Sequence, residues 1–227
     1  MDNFTQRLSR AEVFNKLPVA ECTELAKLAG RRRLKSGEFL CYEGDVWPNV
    51  IFLASGQLRW TMLSAGGREY VLFTIKSGAV FWGHSIFDDQ PMPASLMAMK
   101  PSTVYMWSRE VILPALDRNP SAMWEITKVL VRTMRAAREI IYGLAFHPVA
   151  GRLATLLLDH FPGQEDTAIE RDMTLSDMAA MVASSPEVVC RLLQQFHTDG
   201  LLEITRAKIT LCDRAALEHL IEIANER

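Results

Sequence analysis

A chain of 227 residues, 49% of them apolar, is long enough for two domains of ordinary size, and it has no apolar run long enough to span a bilayer. The leading segment MDNFTQRLSR lacks the basic-then-apolar layout of a secretory signal, so a soluble cytoplasmic protein with no membrane partner is expected. The formal charge of −2 is unevenly divided: residues 1–146 carry 18 Lys and Arg against 14 Asp and Glu, and residues 147–227 carry 7 against 13. The four cysteines (Cys22, Cys41, Cys190 and Cys212) are far apart, which excludes zinc or iron–sulfur spacing and makes disulfides unexpected in the cytoplasm. No carboxylate pair, Ser–His arrangement or metal-ligand spacing stands out, so the chain does not read as an enzyme.

In chain order, residues 7–30 read as one or two short helices broken at Leu17-Pro18. The run Arg31-Arg32-Arg33 reads as a solvated surface before the next element. From Ser36 to Ser108 the pattern changes to short β runs: FLCY, VIFL, QLRWTML, EYVLFTI, VFW, SLMAM and TVYMW. They are separated by Glu43-Gly44-Asp45, Ser55-Gly56, Ala65-Gly66-Gly67 and Ser77-Gly78. Many short strands at regular spacing predict a compact β-barrel or double-layered roll. Residues 109–117 form a short helix, and Asn119-Pro120-Ser121 opens a long one reaching about Phe146. On it Ile126, Leu130, Thr133, Ala137, Ile140 and Leu144 step 4-3-4-3-4, a coiled-coil seam that predicts a homodimer. Pro148 breaks this helix, and a helix over 149–161 buries Leu153, Leu156, Leu157 and Phe161. Residues 162–166, PGQED, are a polar loop.

Residues 174–202, TLSDMAAMVASSPEVVCRLLQQFHTDGLL, read as two short helices with a tight turn. Thr174 and Ser176 cap the first, which buries Leu175, Met178, Met181 and Val182; Ala179 and Ala183 are small where helices cross. Ser184-Ser185-Pro186-Glu187 stops it and starts the second: serine caps, proline suits the first turn, and Glu187 complements the helix dipole. Val189, Leu192, Leu193 and Phe196 face inward, while Glu187, Cys190, Arg191 and Gln194 share the opposite face. That is the helix-turn-helix plan, its second helix free to enter a major groove. The alternative is an i,i+4 Glu–Arg pair on a solvated helix. Asp199-Gly200 is a turn, residues 202–204 and 208–211 read as a two-stranded wing, and 213–225 as a terminal amphipathic helix.

The run SSPEVVCRLLQQFHTDGLL with EITRAKITL resembles the winged helix-turn-helix of the Crp–Fnr family of bacterial transcription regulators. SGEFLCYEGDVWPNVIFLASGQLRW resembles the opening of that family's cyclic-nucleotide-binding β-roll. The resemblance implies an α+β chain: a β-roll (double-stranded β-helix) sensor domain over 1–118, a dimerisation helix over 119–146, and a winged helix-turn-helix DNA-binding domain over 147–227. It implies that Arg191 reads guanine O6/N7 and Glu187 accepts from a cytosine amino group, with Thr174, Ser184, Ser185, Pro186, Cys190 and Lys208 also at the DNA. Pro186 stands where the family's recognition helix has an arginine. The implied partners are double-stranded DNA bearing an inverted repeat, RNA polymerase if the protein activates, and a small-molecule effector. Only Cys22 lies in the region of the Fnr branch's cysteine cluster, so no iron–sulfur cluster is expected.

The family's phosphate-binding cassette has a Gly-Glu followed by an arginine. Here residues 83–95 carry His84 in place of the glutamate, and no arginine occurs between Arg68 and Arg109. A cyclic nucleotide is therefore not the expected effector. The residues matching the family's pocket are Trp82, Gly83, His84, Ser85, Met97 and, from the long helix, Arg138. FWGHS is similar to the stretch around the haem-ligating histidine of the family's carbon-monoxide sensors, which makes haem at His84 the alternative. Those sensors' N-terminal proline and nearby cysteine have no counterpart here. Trp82, Phe87, Met92, Met97 and Met99 suit a small hydrophobic effector, or simply fill the roll.

Overall fold

The computed structural model describes residues 3–161, 167–205 and 207–222; within them strands occupy the glycine-punctuated stretch and helices its flanks. The chain divides into two units, Met1–Met62 with Leu72–Arg135 and Leu63–Val71 with Ala136–Arg227.

The first unit opens with α1 (Asn3–Leu8), a 3-10 turn at Phe14–Lys16 and α2 (Val19–Leu28). Six strands follow: β1 (Gly30–Leu34), β2 (Phe39–Cys41), β3 (Asn49–Leu63), β4 (Glu69–Lys76), β5 (Val80–Trp82) and, after the short helix α3 (Ser85–Asp88), β6 (Ser95–Ser108). They form one sheet of order β1-β6-β3-β4, with β2 on β6 and β5 on β3. The arginine run is exposed, as expected of a solvated surface, and it is itself a strand. Arg31, Arg32 and Arg33 pair antiparallel with Tyr105, Val104 and Thr103 at the sheet edge, where exposed charge deters further strand addition.

Two expected turns are absent. VIFL and QLRWTML are one strand, β3, and SLMAM and TVYMW are one strand, β6. Their register slips at Leu53/Ser55, Ser55/Gln57 and Gln57/Leu58, so the pair bends by bulges instead of reversing. Gly56 makes the bend: its φ is +96°, and a Cβ there would lie 2.1 Å from Ser102 Oγ.

Inside the roll lie Leu34, Leu40, Cys41, Ile51, Leu53, Leu58, Trp60, Met92, Leu96 and Val104. Burial pushes the Cys41 thiol up to about 12, so it stays protonated at neutral pH. A second cluster joins Phe14, Trp82 and Trp107 to Ile112 and Leu116 of α4 (Arg109–Asp117) and to Ala122 and Ile126 of α5 (Pro120–Phe146). Asn119 opens α5, accepting from the Ala122 amide, and Pro120 takes the first turn, where its missing N–H is not needed.

On α5 the residues of the expected seam differ in burial. Ile126 is 2% exposed, spent inside its own unit, and Leu130 and Thr133 border a cavity described below. The large apolar residues α5 leaves in solvent are Leu130 and Leu144 of that seam together with Trp124, Val131, Met134, Ile141 and Phe146, and Trp124, Val131, Met134 and Ile141 make a stripe spaced 7-3-7. That stripe lies one residue later in the heptad. Ala137 and Ile140 are half-buried.

In the second unit α6 (Val149–His160), with Pro148 at its N-cap, buries Leu153, Leu157 and the following Phe161 against Met178, Val189, Leu193, Phe196 and Leu217. The loop expected at 162–166 lies outside the described residues. Beyond it come β7 (Ala168–Glu170), α7 (Leu175–Met181), α8 (Pro186–Thr198), β8 (Leu202–Ile204), β9 (Lys208–Leu211) and α9 (Arg214–Glu222). The wing has three strands instead of two: β9 pairs with both β8 and β7. Of the terminal helix expected over 213–225, positions 223–225 lie outside the described residues.

Candidate DNA-reading helix and effector pocket

The helix-turn-helix follows from local chemistry. Thr174 caps α7 through a capping box: its hydroxyl accepts from the Asp177 amide at 3.1 Å, while the Asp177 carboxylate accepts from the Thr174 amide at 3.0 Å. Ser176, expected as a cap, lies inside the helix. Ala183 is not a crossing residue either; at φ +51° it takes the left-handed turn position, and the Ser184 amide closes the turn on the Ala179 carbonyl at 2.9 Å. Ala179 itself is buried. Ser185 caps α8 and Pro186 fills its first turn.

Val189, Leu193 and Phe196 seat α8 on the core, which turns Glu187, Cys190, Arg191 and Gln194 outward. The i,i+4 ion pair between Glu187 and Arg191 is not formed. Among the described residues Arg191 has no carboxylate partner, and the Glu187 carboxyl is held below its usual range by the Ser185 hydroxyl and its own helix-start amide. The face therefore presents a guanidinium without a carboxylate partner and an ionised carboxylate one turn apart, a donor fork and an acceptor of the kinds that read base edges. Lys208 is exposed on β9.

The first unit holds a cavity of about 360 Å³. Trp60, Phe73, Ile75, Val80, Phe81, Trp82 and Phe87 form most of its wall, Val129, Leu130 and Thr133 of α5 close one side, and His84 and Asp88 are its ionisable groups. The His84 ring stacks on Trp60, centroids 5.0 Å apart and 21° between planes. Trp60 is fixed by its indole N–H, which donates to the Ala94 carbonyl at 3.3 Å, and by stacking on Phe73. The Nδ1 of His84 is buried with no hydrogen-bond partner among the described residues. Burial holds its pKa below the usual imidazole value, with Asp88 opposing, so the ring is neutral at pH 7.

Of the six residues expected at this pocket, Trp82 and His84 line it. Gly83 sits behind the wall, where a Cβ would lie 2.6 Å from the Asn49 carbonyl oxygen and 2.8 Å from that of Trp47. Ser85 is fully buried as a tie, accepting from the Trp47 amide at 3.1 Å and donating to the Gln90 carbonyl at 2.6 Å. Met97 pairs opposite Phe39 and Arg59 in the sheet, away from the lining. Arg138 is exposed, bonded to Glu139 at 2.8 Å with its guanidinium 4.8 Å from the Tyr142 ring centre. Trp60, Phe73 and Phe81 were missed because each comes from a different strand, and no local pattern marks which aromatic residues converge.

Two domain models match this chain: a cyclic nucleotide-binding domain over residues 31–119 and a Crp-like helix-turn-helix domain over 151–220. The chain is 25% identical over 190 residues to the cyclic AMP receptor protein of Thermus thermophilus, covering 84% of this chain and 87% of that one. It is 24% identical over 215 residues to a CRP-like cAMP-activated global transcriptional regulator of Mycobacterium tuberculosis, covering 92% and 96%. Its fold is similar to that of the c-di-GMP responsive global regulator CLP of Xanthomonas campestris, with a TM-score of 0.76 and 19% identity over 86% of this chain and 99% of that one.

Proposed function

The chain is a transcription regulator of the Crp–Fnr family with a DNA-binding helix-turn-helix, and from that premise we propose that it acts as a homodimer on an inverted-repeat site under control of an effector that is not a cyclic nucleotide. The observation carrying the effector reading is the cavity wall. The relatives named for cyclic AMP and c-di-GMP respond to phosphodiesters. This cavity has no Arg or Lys in its lining, and its one permanent charge is the carboxylate of Asp88. A buried phosphate there would lack a counter-charge and face a negative one.

Two α8 helices placed about 34 Å apart enter successive major grooves, so the site reads as a palindrome. Arg191→Ala is expected to weaken operator binding by about 1–3 kcal/mol and to relax preference at one base pair, without altering the melting temperature. Binding-site selection from a random duplex pool, run with wild type and variant, checks this. Equal selectivity in the two would remove Arg191 from base reading. Because the C-terminal half is acidic, affinity rests on a few local cations and falls steeply with salt.

The dimer seam we assign to the re-registered stripe of Val131, Met134 and Ile141. An exposed, heptad-spaced apolar stripe on a 27-residue helix is what a two-stranded coiled coil buries. Met134 is 77% exposed, so Met134→Glu leaves the single-chain fold intact. It is expected to convert the dimer to monomer in sedimentation velocity runs and to reduce affinity for the inverted repeat at least ~10-fold, since one half-site replaces two. RNA polymerase is the further partner if the protein activates. The same helix carries the pocket on one face and the seam on another, which is how effector occupancy reaches the spacing of the DNA-binding units.

A second reading rests on one observation, the His84 imidazole on the lining of a cavity rich in aromatic residues. His84 would hold haem iron through that imidazole, and the aromatic residues would limit its contact with water. Titration with haemin, followed by carbon monoxide, tests it through the Soret band and its loss in His84→Ala.

A further inference from the structure

We infer that the β-roll cavity takes an uncharged planar aromatic molecule bearing one hydrogen-bonding group, which meets the His84 imidazole. The inference rests on reading the cavity as the effector site and specifies the chemistry that site selects.

Three features of the wall converge. Its area is mostly aromatic: Trp60, Phe73, Phe81, Trp82 and Phe87 come from β3, β4, β5 and α3. Flat π faces of this kind recognise a flat π partner through stacked and edge contacts. At about 360 Å³ the volume lies at the small end of ligand sites, which run from about 300 to 1,000 Å³.

The polar content is sparse and placed. His84 is pinned against Trp60 with a buried nitrogen whose hydrogen-bonding capacity is unused among the described residues. A neutral imidazole has one nitrogen that donates and one that accepts, according to tautomer, so a hydroxyl, carbonyl or ring nitrogen of a ligand can pair with the ring edge that His84 presents to the lining. Thr133 is the one hydroxyl on the lining, and it stands on α5, the element that also carries the exposed stripe.

The charge pattern sets the ligand's charge. Asp88 is the cavity's carboxylate, and Gln90's amide donates to it at 3.0 Å. No cation stands on the lining. Arg59, next to Trp60 in sequence, is not on the lining. An anionic ligand would therefore lose its hydration beside a like charge. Carboxylates and phosphates are rejected; phenols, indoles and neutral heteroaromatic compounds are accepted.

The test uses two probes that share one ring system, 1-naphthol and 1-naphthoate, titrated into the full-length protein at pH 7 by calorimetry. Naphthol is uncharged there and naphthoate is anionic. The expected result is saturable naphthol binding, with naphthoate at least ~20-fold weaker. His84→Phe keeps the ring stack and removes the nitrogen, and should weaken naphthol about 10-fold. Asp88→Asn should narrow the gap between the probes by strengthening naphthoate. The wild-type comparison needs no variant, so a misfolded mutant leaves the question decidable.

Naphthoate binding as tight as naphthol, no heat from either probe, or stoichiometric haemin uptake lost in His84→Phe would each overturn the inference. Operator binding measured with and without naphthol separates this from the underlying reading. Pocket binding that leaves DNA affinity unchanged keeps the ligand class and removes the effector role. Failure of both probes with intact Arg191-dependent DNA binding removes the ligand class alone.

Discussion

Trp107→Ala is expected to destabilise the first unit by about 3–5 kcal/mol, a loss large enough to leave much of it unfolded at 37 °C. Trp107 is 1% exposed, and its indole N–H donates to the Leu25 carbonyl at 2.7 Å, tying β6 to α2. Its ring meets Phe14 at 5.3 Å and Phe4 at 6.3 Å, so one side chain gathers α1, the 3-10 turn and α2 onto the sheet. Alanine leaves a void in a cluster that includes Trp82, which also lines the β-roll cavity. It also strips the Leu25 carbonyl of its donor. Trp107→Phe, which keeps most of the apolar volume and loses the N–H, should recover all but about 1–3 kcal/mol of the loss. Urea unfolding of the three proteins checks this. Equal midpoints for wild type and Trp107→Ala would mean that the aromatic cluster does not hold the helices.

Phe196→Ala is expected to cost the second unit about 3–5 kcal/mol and to abolish operator binding while Glu187 and Arg191 themselves are unchanged. Phe196 is 2% exposed at the inner face of α8, and its carbonyl accepts the Leu201 amide at 2.8 Å where the helix hands over to β8. The residue fixes how deeply α8 seats on Met178 and Leu202, and hence where Glu187 and Arg191 stand. The contrast with Arg191→Ala is diagnostic. That variant removes readout and leaves melting unchanged; Phe196→Ala lowers the melting temperature and removes readout with it. Circular dichroism melts beside mobility-shift titrations resolve the two. A Phe196→Ala protein that melts like wild type yet fails to bind DNA would place Phe196 at the DNA instead of in the core.

The helix-turn-helix was legible because its signals are local. Thr174 with Asp177, Ser185 before Pro186, and inward positions at helical spacing each fall within one or two turns. The capping hydroxyls and the proline state where α7 and α8 begin whatever packs around them. Even so, Ser176 and Ala183 were given roles by residue type that the backbone path reassigns: one lies inside the helix, the other takes the left-handed turn.

The roll was legible as a class and not as a topology. Glycine marks where the backbone leaves the ordinary region, and it cannot say whether the chain reverses there or bends and continues. At Gly44 and Gly78 a turn follows, whereas at Gly56 the strand goes on because Ser102 of β6 lies against the missing side chain. Arg31, Arg32 and Arg33 carry no strand propensity in their charges; their pairing is imposed by the free edge of β6.

Short-range chemistry encodes what was legible in the sequence: the caps and inner faces of the helix-turn-helix and the length of α5. Tertiary structure alone decided the rest. Which side of α5 is covered depends on α4 and the sheet packing against it, so Ile126 is lost to the core. Which aromatic residues converge on His84 depends on how β3, β4, β5 and α3 come together. A pocket wall is a sum of long-range neighbours, and no periodicity along the chain records them.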